Sequence, residues 1–146
     1  MYKKLLIPVD GSPHSNRAVE AAGRLAECCD ASVYLVHVIR DLSLPKEILQ
    51  MMAAGEVTAS RMQILQDSAE IILENAQKKL QAAGITDVES EILFGDPASL
   101  ILTAAQERGT DLIVLGHRGL APSETLLGGV TRKILNRTTI SCLVVT

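Results

Sequence analysis

Short aliphatic runs alternate along this chain with segments whose apolar residues repeat at helical spacing. The runs predict strands over Lys4–Val9, Ser32–Ile39, Val88–Phe94, Asp111–Leu115 and Ser141–Val145. The segments between them predict helices over Asn16–Cys28, Glu56–Ala83, Pro97–Gly109 and Leu126–Asn136, with Arg40–Gly55 as a loop containing a short helix. Aliphatic strands without polar alternation are typical of a parallel sheet buried on both faces. The pattern therefore predicts an α/β fold, a five-stranded parallel sheet with helices on both faces.

The size and composition of the chain indicate a single domain over residues 1–146. Its 146 residues are 47% hydrophobic, which supplies one sizeable core. One Phe, two Tyr and no Trp leave that core aliphatic and provide no stacking platform for single-stranded nucleic acid. The net charge of −3 also argues against a nucleic-acid partner, because clustered Lys and Arg hold phosphate backbones.

Cysteine usage and the N-terminal residues indicate a location. Cys28, Cys29 and Cys142 show no CxxC spacing, so they predict neither a disulfide framework nor a zinc site, and a reducing compartment fits them best. The apolar run Leu5–Val9 is too short for a signal peptide or a membrane span. We therefore expect a cytoplasmic protein without membrane insertion.

A glycine-rich segment, Asp111–Thr131, has the composition of an anion site. A buried strand is followed by Gly116 and Gly119, a polar loop, and the pair Gly128 and Gly129 at a predicted helix start. Glycines allow backbone N–H groups to approach a ligand, and the first turn of a helix has unpaired N–H groups and a partial positive charge. The segment therefore predicts a phosphate site.

This segment also resembles the nucleotide signature of the universal stress protein family. The similarity is carried by GHRG, GGVTRKIL and SCLVVT here, and by IPVDGS and LVHV at the first and second strands. Two positions depart from the family pattern: eight residues rather than nine separate Gly119 from Gly128, and Gly129 stands where a Ser or Thr is expected.

The resemblance implies a sheet of the adenine nucleotide alpha hydrolase type, with strand order 3-2-1-4-5. In that order the first and fourth strands are neighbours at the topological switch point, where open α/β sheets bind ligands. Asp10 follows the first strand and Gly116 follows the fourth. Both sequence signals therefore converge on one crevice.

Carried over residue by residue, the resemblance assigns an adenine nucleotide, ATP or AMP with or without Mg²⁺, to this crevice. Adenine and ribose would be surrounded by Pro8, Val9, Asp10 and Val38. The phosphates would be held by Gly116, His117, Arg118 and Gly119, and by Gly128, Gly129, Val130 and Thr131.

Simpler roles stay open for the same residues. Asp10 either caps the first helix or pairs with a basic neighbour, or its carboxylate accepts a hydrogen bond from an adenosine. The glycines are either turn residues or phosphate ligands, and Arg118 is either a solvated charge or a phosphate contact.

No catalytic residue and no metal site are predicted. The sequence lacks the GxSxG, GK[ST] and GxGxxG motifs, and His14, His37 and His117 lie on separate elements without metal-ligand spacing. His37, inside a strand, is interpreted as structural. Phosphoryl transfer needs strong charge stabilisation, so at most slow ATP hydrolysis is expected.

Two functions remain from the sequence. The first is a stress-response or regulatory protein that binds an adenine nucleotide and acts as a homodimer. The alternative is a dimeric interaction module of the same fold without a nucleotide, for which Gly129 and the shortened loop are the evidence. In both, the apolar strand Ser141–Val145 lies at the sheet edge and pairs with a second copy.

Overall fold

The computed structural model describes residues 1–40, 58–119 and 127–146. The loop with a short helix predicted over Arg40–Gly55 therefore lies outside the described residues, apart from Arg40, which is exposed. Residues 56–57, at the start of the predicted second helix, lie outside them too.

Strands and helices alternate along the described parts of the chain. The strands are β1 Lys4–Pro8, β2 Ser32–Ile39, β3 Val88–Phe94, β4 Leu112–Gly116 and β5 Ser141–Val145. The helices are α1 Pro13–Cys29, α2 Thr58–Ala82, α3 Pro97–Glu107 and α4 Gly129–Arg137.

The strands form one parallel sheet in the order β3-β2-β1-β4-β5. On β1, Leu5 lies opposite Val33 of β2 on one side and Leu112 of β4 on the other. The predicted strand order is therefore confirmed, and the carboxyl ends of β1 and β4 are adjacent at the switch point.

Each face of the sheet is covered by two helices, because successive strand residues point to opposite faces. Leu5 and Ile7 are buried beneath α1 and α2, whereas Leu6, between them, is buried beneath α3 and α4. The second layer includes Ile113 of β4 and Ile134 of α4, both fully buried. The prediction of aliphatic strands covered on both faces is thus confirmed for the inner strands β2, β1 and β4, whereas the edge strands β3 and β5 are partly exposed.

The starts of two helices differ from the predicted bounds. Helix α1 begins at Pro13, not Asn16, because the Ser12 hydroxyl accepts a hydrogen bond from Ser15 N–H (3.1 Å) and caps the helix one turn earlier. Helix α4 begins at Gly129, not Leu126, and Gly128 is its N-cap. The N–H of Gly128 donates to a loop carbonyl (2.8 Å), which holds this residue outside the helix. The bounds of β2, β3 and β5 match the prediction, and the remaining bounds within the described residues differ by no more than two residues.

Helix α2, with 25 residues, is the longest described helix and is amphipathic. Its buried face includes Ala69, Leu73 and Leu80, whereas Ile64 and Ile71 are exposed. No helix among the described residues is long and apolar enough to span a membrane.

The two edges of the sheet differ in charge. Strand β3 exposes Glu89, Ser90 and Glu91, whereas β5 has the uncharged sequence SCLVV and exposes Leu143. Charged side chains on an edge oppose pairing with another strand. Of the two edges, β5 is therefore the one suited to pairing.

Candidate functional site

Hydrogen bonds on both backbone groups of Val9 fix the carboxyl end of β1. Its N–H donates to Val36 O (2.8 Å), and its carbonyl lies 2.7 Å from Nδ1 of His37. A carbonyl can only accept, so Nδ1 of His37 is the donor. His37 thus has the structural role predicted for it, and Pro8 and Val9 are held at the strand end, half-buried and buried respectively.

Asp10, the next residue, takes part in the turn that starts α1. Its Oδ1 accepts from Ser12 N–H (2.9 Å), and its own N–H donates to the Ser15 hydroxyl (3.2 Å). Ser12 and Ser15 are both buried. One carboxylate oxygen of Asp10 is therefore committed to the helix start, and Oδ2 is the oxygen left to face the crevice.

The loop after β4 lies directly against the start of α1. A Cβ on Gly116 would be 3.0 Å from the backbone carbon of His14 and 3.1 Å from Ser15 N. Real Cβ atoms rarely approach that closely, so glycine is required here for packing of backbone on backbone. This requirement exists without any ligand.

The same loop is hydrogen-bonded to the end of β5 and to the residue that precedes α4. The N–H of His117 donates to Val145 O of β5 (2.8 Å), and the carbonyl of His117 accepts from Gly128 N–H (2.8 Å). A Cβ on Gly128 would lie 3.2 Å from Cα of Arg118. The two glycine segments predicted to act together are therefore brought into contact.

Gly119 lies over the carboxylate of Asp10. A Cβ on Gly119 would be 2.6 Å from Oδ2 of Asp10, so any side chain at this position would require the carboxylate to move. The loop and the aspartate therefore face each other across a narrow gap, and Gly119 itself is exposed.

Helix α4 begins without a side-chain cap. The N-cap residue, Gly128, has extended backbone angles (φ −63°, ψ 152°). Because glycine has no side chain, it supplies no capping hydrogen bond. The first-turn positions Gly129, Val130 and Thr131 carry N–H groups of the kind that a helix cannot satisfy internally. The Thr131 hydroxyl, which is buried, donates to Gly116 O (2.8 Å), so it joins α4 to β4.

Val38 lies further along β2 and contributes to the core. It is half-buried and packs against the cluster beneath α3 and α4. It lies two residues beyond Val36, which is opposite Pro8 in the sheet.

A cluster of basic side chains surrounds the glycine loop, and the sequence analysis did not find it. The ring centroids of His14 and His117 are 6.1 Å apart. The charges of Arg17 and Arg118 also affect the pKa of His14. His14 and His117 thus lie on separate elements, as predicted, but the fold brings their rings close together. The signal was available, because His14 follows β1 closely and the strand order places that loop beside the loop after β4.

The electrostatics of the crevice favour an anion. Burial, followed by the positive charges of Arg17, Arg118 and His117, lowers the pKa of His14, and Asp10 opposes this shift. Nδ1 of His14 and Nε of Arg118 are shielded from solvent and have no hydrogen-bond partner in the described part of the chain. Among the described residues, no group of three or more His, Cys, Asp or Glu side chains could hold a metal ion.

Fold and site together define a doubly wound α/β protein whose switch-point crevice combines a glycine loop, an uncapped helix start and basic side chains. The chain belongs to the universal stress protein family, whose family model matches residues 1–146.

Individual relatives agree with this membership. The universal stress protein YxiE of Bacillus subtilis (strain 168) is 32% identical over 151 residues, covering 99% of each chain. The solved structure of MJ0577, a universal stress protein of Methanocaldococcus jannaschii, matches with a TM-score of 0.82 at 29% identity, covering 99% of this chain and 96% of the other. A universal stress protein in complex with cAMP matches with a TM-score of 0.72 at 27% identity, over 99% and 96% of the two chains.

Proposed function

We propose that residues 1–146 form a single domain that binds an adenine nucleotide, ATP or AMP, between the ends of β1 and β4. In this proposal the protein is a cytoplasmic homodimer that acts in stress response or regulation by changing state when the nucleotide binds. The observation that carries it is the uncapped start of α4 beside the cluster of His14, His117 and Arg118. The relative in complex with cAMP supports an adenine nucleotide as the ligand class.

Each part of the crevice suits one part of a nucleotide. The N–H groups of Gly129 and Val130 and the Arg118 guanidinium suit phosphate oxygens, which are acceptors that carry negative charge. On the other side of the crevice, Oδ2 of Asp10 can accept a hydrogen bond from a ribose hydroxyl or an adenine amino group. Pro8 and Val9 supply apolar surface at the strand end, and Val38 lies beyond them.

The proposal includes little or no catalysis. We assign no general base, and a Mg²⁺ ion, if it accompanies ATP, would be held through the phosphates, as is usual for this ion. Any hydrolysis of ATP should therefore be slow.

The first experiment looks for a ligand that the protein already carries. Purified protein is denatured, and the supernatant is analysed by mass spectrometry for AMP, ATP and cAMP. Calorimetry on the nucleotide-free protein then measures the dissociation constant for each. The proposal predicts a co-purified adenine nucleotide or a measurable affinity, and the absence of both would contradict it.

Two substitutions of Asp10 separate its two roles. Asp10→Ala removes both oxygens and should weaken AMP and ATP alike, because it acts on the adenosine side. Asp10→Asn keeps an acceptor for Ser12 N–H, so the turn before α1 is kept while the charge is lost. If neither variant changes either dissociation constant, Asp10 has only the structural role.

A dimeric interaction module without a nucleotide is the second candidate, and one observation favours it. One carboxylate oxygen of Asp10 is hydrogen-bonded to Ser12 N–H, and the other faces Gly119 across a narrow gap that leaves little room for a ligand. For this candidate the same experiments should find no bound nucleotide and no affinity, while the homodimer persists.

A further inference from the structure

The position of His14 suggests a role that the glycine motif does not include. His14 is the second residue of α1, and its backbone lies against Gly116, which places it beside the loop that carries His117 and Arg118. The two imidazole rings are 6.1 Å apart and tilted by 37°. Residues from the start of α1 and from the loop after β4 thus form one group at the crevice.

This group concentrates positive charge. His14 and Arg17 come from α1, and His117 and Arg118 come from the loop after β4. Two helix N-termini, those of α1 and α4, add partial positive charge at the same end of the sheet. Among the described residues, Asp10 is the carboxylate whose negative charge raises the pKa of His14, against the effect of the cations.

Two nitrogen atoms of this group of basic side chains lack a hydrogen-bond partner within the described residues. Nδ1 of His14 and Nε of Arg118 are shielded from solvent without a hydrogen-bond partner in the residues that the structure describes. Such atoms are unfavourable unless a partner is supplied. Phosphate oxygens would supply acceptors for the Arg118 guanidinium and for a protonated imidazole.

We propose that His14, together with His117 and Arg118, binds the phosphate end of the ligand and that binding is accompanied by uptake of a proton on His14. This inference rests on the proposed function and narrows it to ligands with a multiply charged phosphate chain. His14 is then a specificity-determining residue, which distinguishes di- and triphosphates from a singly charged phosphodiester.

The direction of the pH dependence follows from the surroundings of His14. In the ligand-free protein, burial and the neighbouring cations lower its pKa, so near neutral pH the ring is mostly uncharged. A polyanion beside the ring favours the charged form and raises this pKa again. By linkage, affinity for the polyanion increases as pH falls from the bound-state pKa to the free-state pKa, and it levels off below that.

The test uses inorganic tripolyphosphate as the probe, beside ATP and adenosine. Calorimetry measures the dissociation constants from about pH 8 to about pH 6, the range in which histidine titrates. In the native protein the affinity for tripolyphosphate should increase by about fivefold or more over this range. His14→Gln should remove most of that increase, and comparison at equal pH cancels the titration of the probe itself.

Nuclear magnetic resonance on the native protein gives a measurement that needs no variant. The ring protons of His14 should titrate at higher pH when tripolyphosphate is present, because a polyanion beside the ring favours its charged form. If the His14→Gln variant does not fold, this titration decides alone. An unchanged His14 titration, or the same pH dependence in both proteins, would overturn the inference.

The outcomes also separate this inference from the proposed function. ATP binding without proton uptake leaves the nucleotide site standing and refutes the role of His14. Tripolyphosphate binding with proton uptake, but no gain from the adenosine part of ATP, supports His14 and refutes the adenine site. Failure of all three probes to bind at any pH would refute both.

Discussion

Glycines in the same predicted motif have different reasons to be glycine. A Cβ on Gly116 would meet backbone atoms of His14 and Ser15 at 3.0 to 3.1 Å, whereas a Cβ on Gly129 would meet nothing within 4 Å. Backbone atoms cannot move aside as the end of a flexible side chain can. Gly116 is therefore required by the packing of the loop on α1, and Gly129 is not.

We expect Gly116→Ala to destabilise the protein by about 1 to 3 kcal/mol, the usual cost of inserting an atom into a packed region. Gly129→Ala is the matched control and should be neutral or stabilising by up to about 1 kcal/mol, because alanine restricts the unfolded chain. Urea unfolding of both variants measures the difference. Equal midpoints would show that the loop can move away from α1 at little cost.

This difference also decides which glycine variants can test nucleotide binding. A branched side chain at Gly116 would disturb the contact between β4 and α1 whether or not a ligand binds there. Substitution of Gly129 changes the helix start alone and is therefore the better test.

Gly129→Ser should increase affinity for ATP more than affinity for AMP. A hydroxyl at this position can donate to the terminal phosphates, and a hydrogen bond to a charged group contributes roughly 1.5 to 3 kcal/mol, or about ten- to a hundredfold. Calorimetry gives both dissociation constants, and Gly129→Ala controls for the added Cβ. An equal effect on both nucleotides would direct attention to the shortened segment between Gly119 and Gly128.

At the scale of elements, polar contacts of Tyr34 join two strands to a helix end. The hydroxyl of Tyr34 on β2 donates to Glu91 on β3, and Arg108, at the end of α3, stacks 3.7 Å above the ring centroid. Arg108 also pairs with Glu89 and lies 3.8 Å from Glu91. Burial, then the hydrogen bond and charge of Glu91, raises the pKa of Tyr34 to about 12.

Stability should therefore decrease as pH rises from about 10 to about 12, because Tyr34 ionises more easily in the unfolded chain. We expect Glu91→Gln to lower the pKa of Tyr34, since the variant loses the negative charge beside the hydroxyl. Tyrosinate absorbance measures this pKa, and Tyr34→Phe identifies the signal by removing it. Glu89→Gln is the control, because it removes a charge from the same strand without touching the tyrosine hydroxyl; an equal effect of both variants would contradict the assignment.

At the scale of the whole molecule, the proposed dimer edge and the crevice share a strand. His117 N–H donates to Val145 O, and Nε of Arg17 donates to Thr146 O (3.0 Å). The last residue of β5 and the residue after it are thus hydrogen-bonded to His117 and Arg17, which belong to the group of basic side chains around the crevice. A second copy paired with β5 would therefore be connected to the proposed nucleotide site through the hydrogen bonds at the end of this strand.

Val144→Pro should dissociate the dimer while leaving the sheet intact. Val145 O faces β4, and the groups of alternate strand residues face opposite sides, so the N–H of Val144 faces the free edge. Proline removes that donor, whereas Val144→Ala keeps it and serves as the control. Sedimentation at micromolar concentration should give a monomer for Val144→Pro and a dimer for the native protein and the control. A native monomer, or a dimer that tolerates proline, would contradict pairing through β5.

The sequence by itself determined the strands and helices of this protein, and the resemblance to a known family supplied the strand order. Strand and helix patterns depend on neighbouring residues, so Ser32–Ile39, Val88–Phe94 and Ser141–Val145 were predicted with the bounds that the structure has. The strand order followed from the family resemblance. Helix starts were less accurate, since the cap at Ser12 and the turn at Gly128 depend on single hydrogen bonds.

Only the tertiary structure decided what the candidate site residues contact. His14 and His117 are far apart in sequence. They lie close together because Gly116 packs against the backbone at the start of α1. The Thr131 hydroxyl donates to Gly116 O, a contact that spacing along the chain did not predict. Periodicity and spacing report on neighbours along the chain, whereas these contacts depend on which atoms meet where the ends of β1 and β4 pack against α1 and α4, which no local pattern in the sequence encodes.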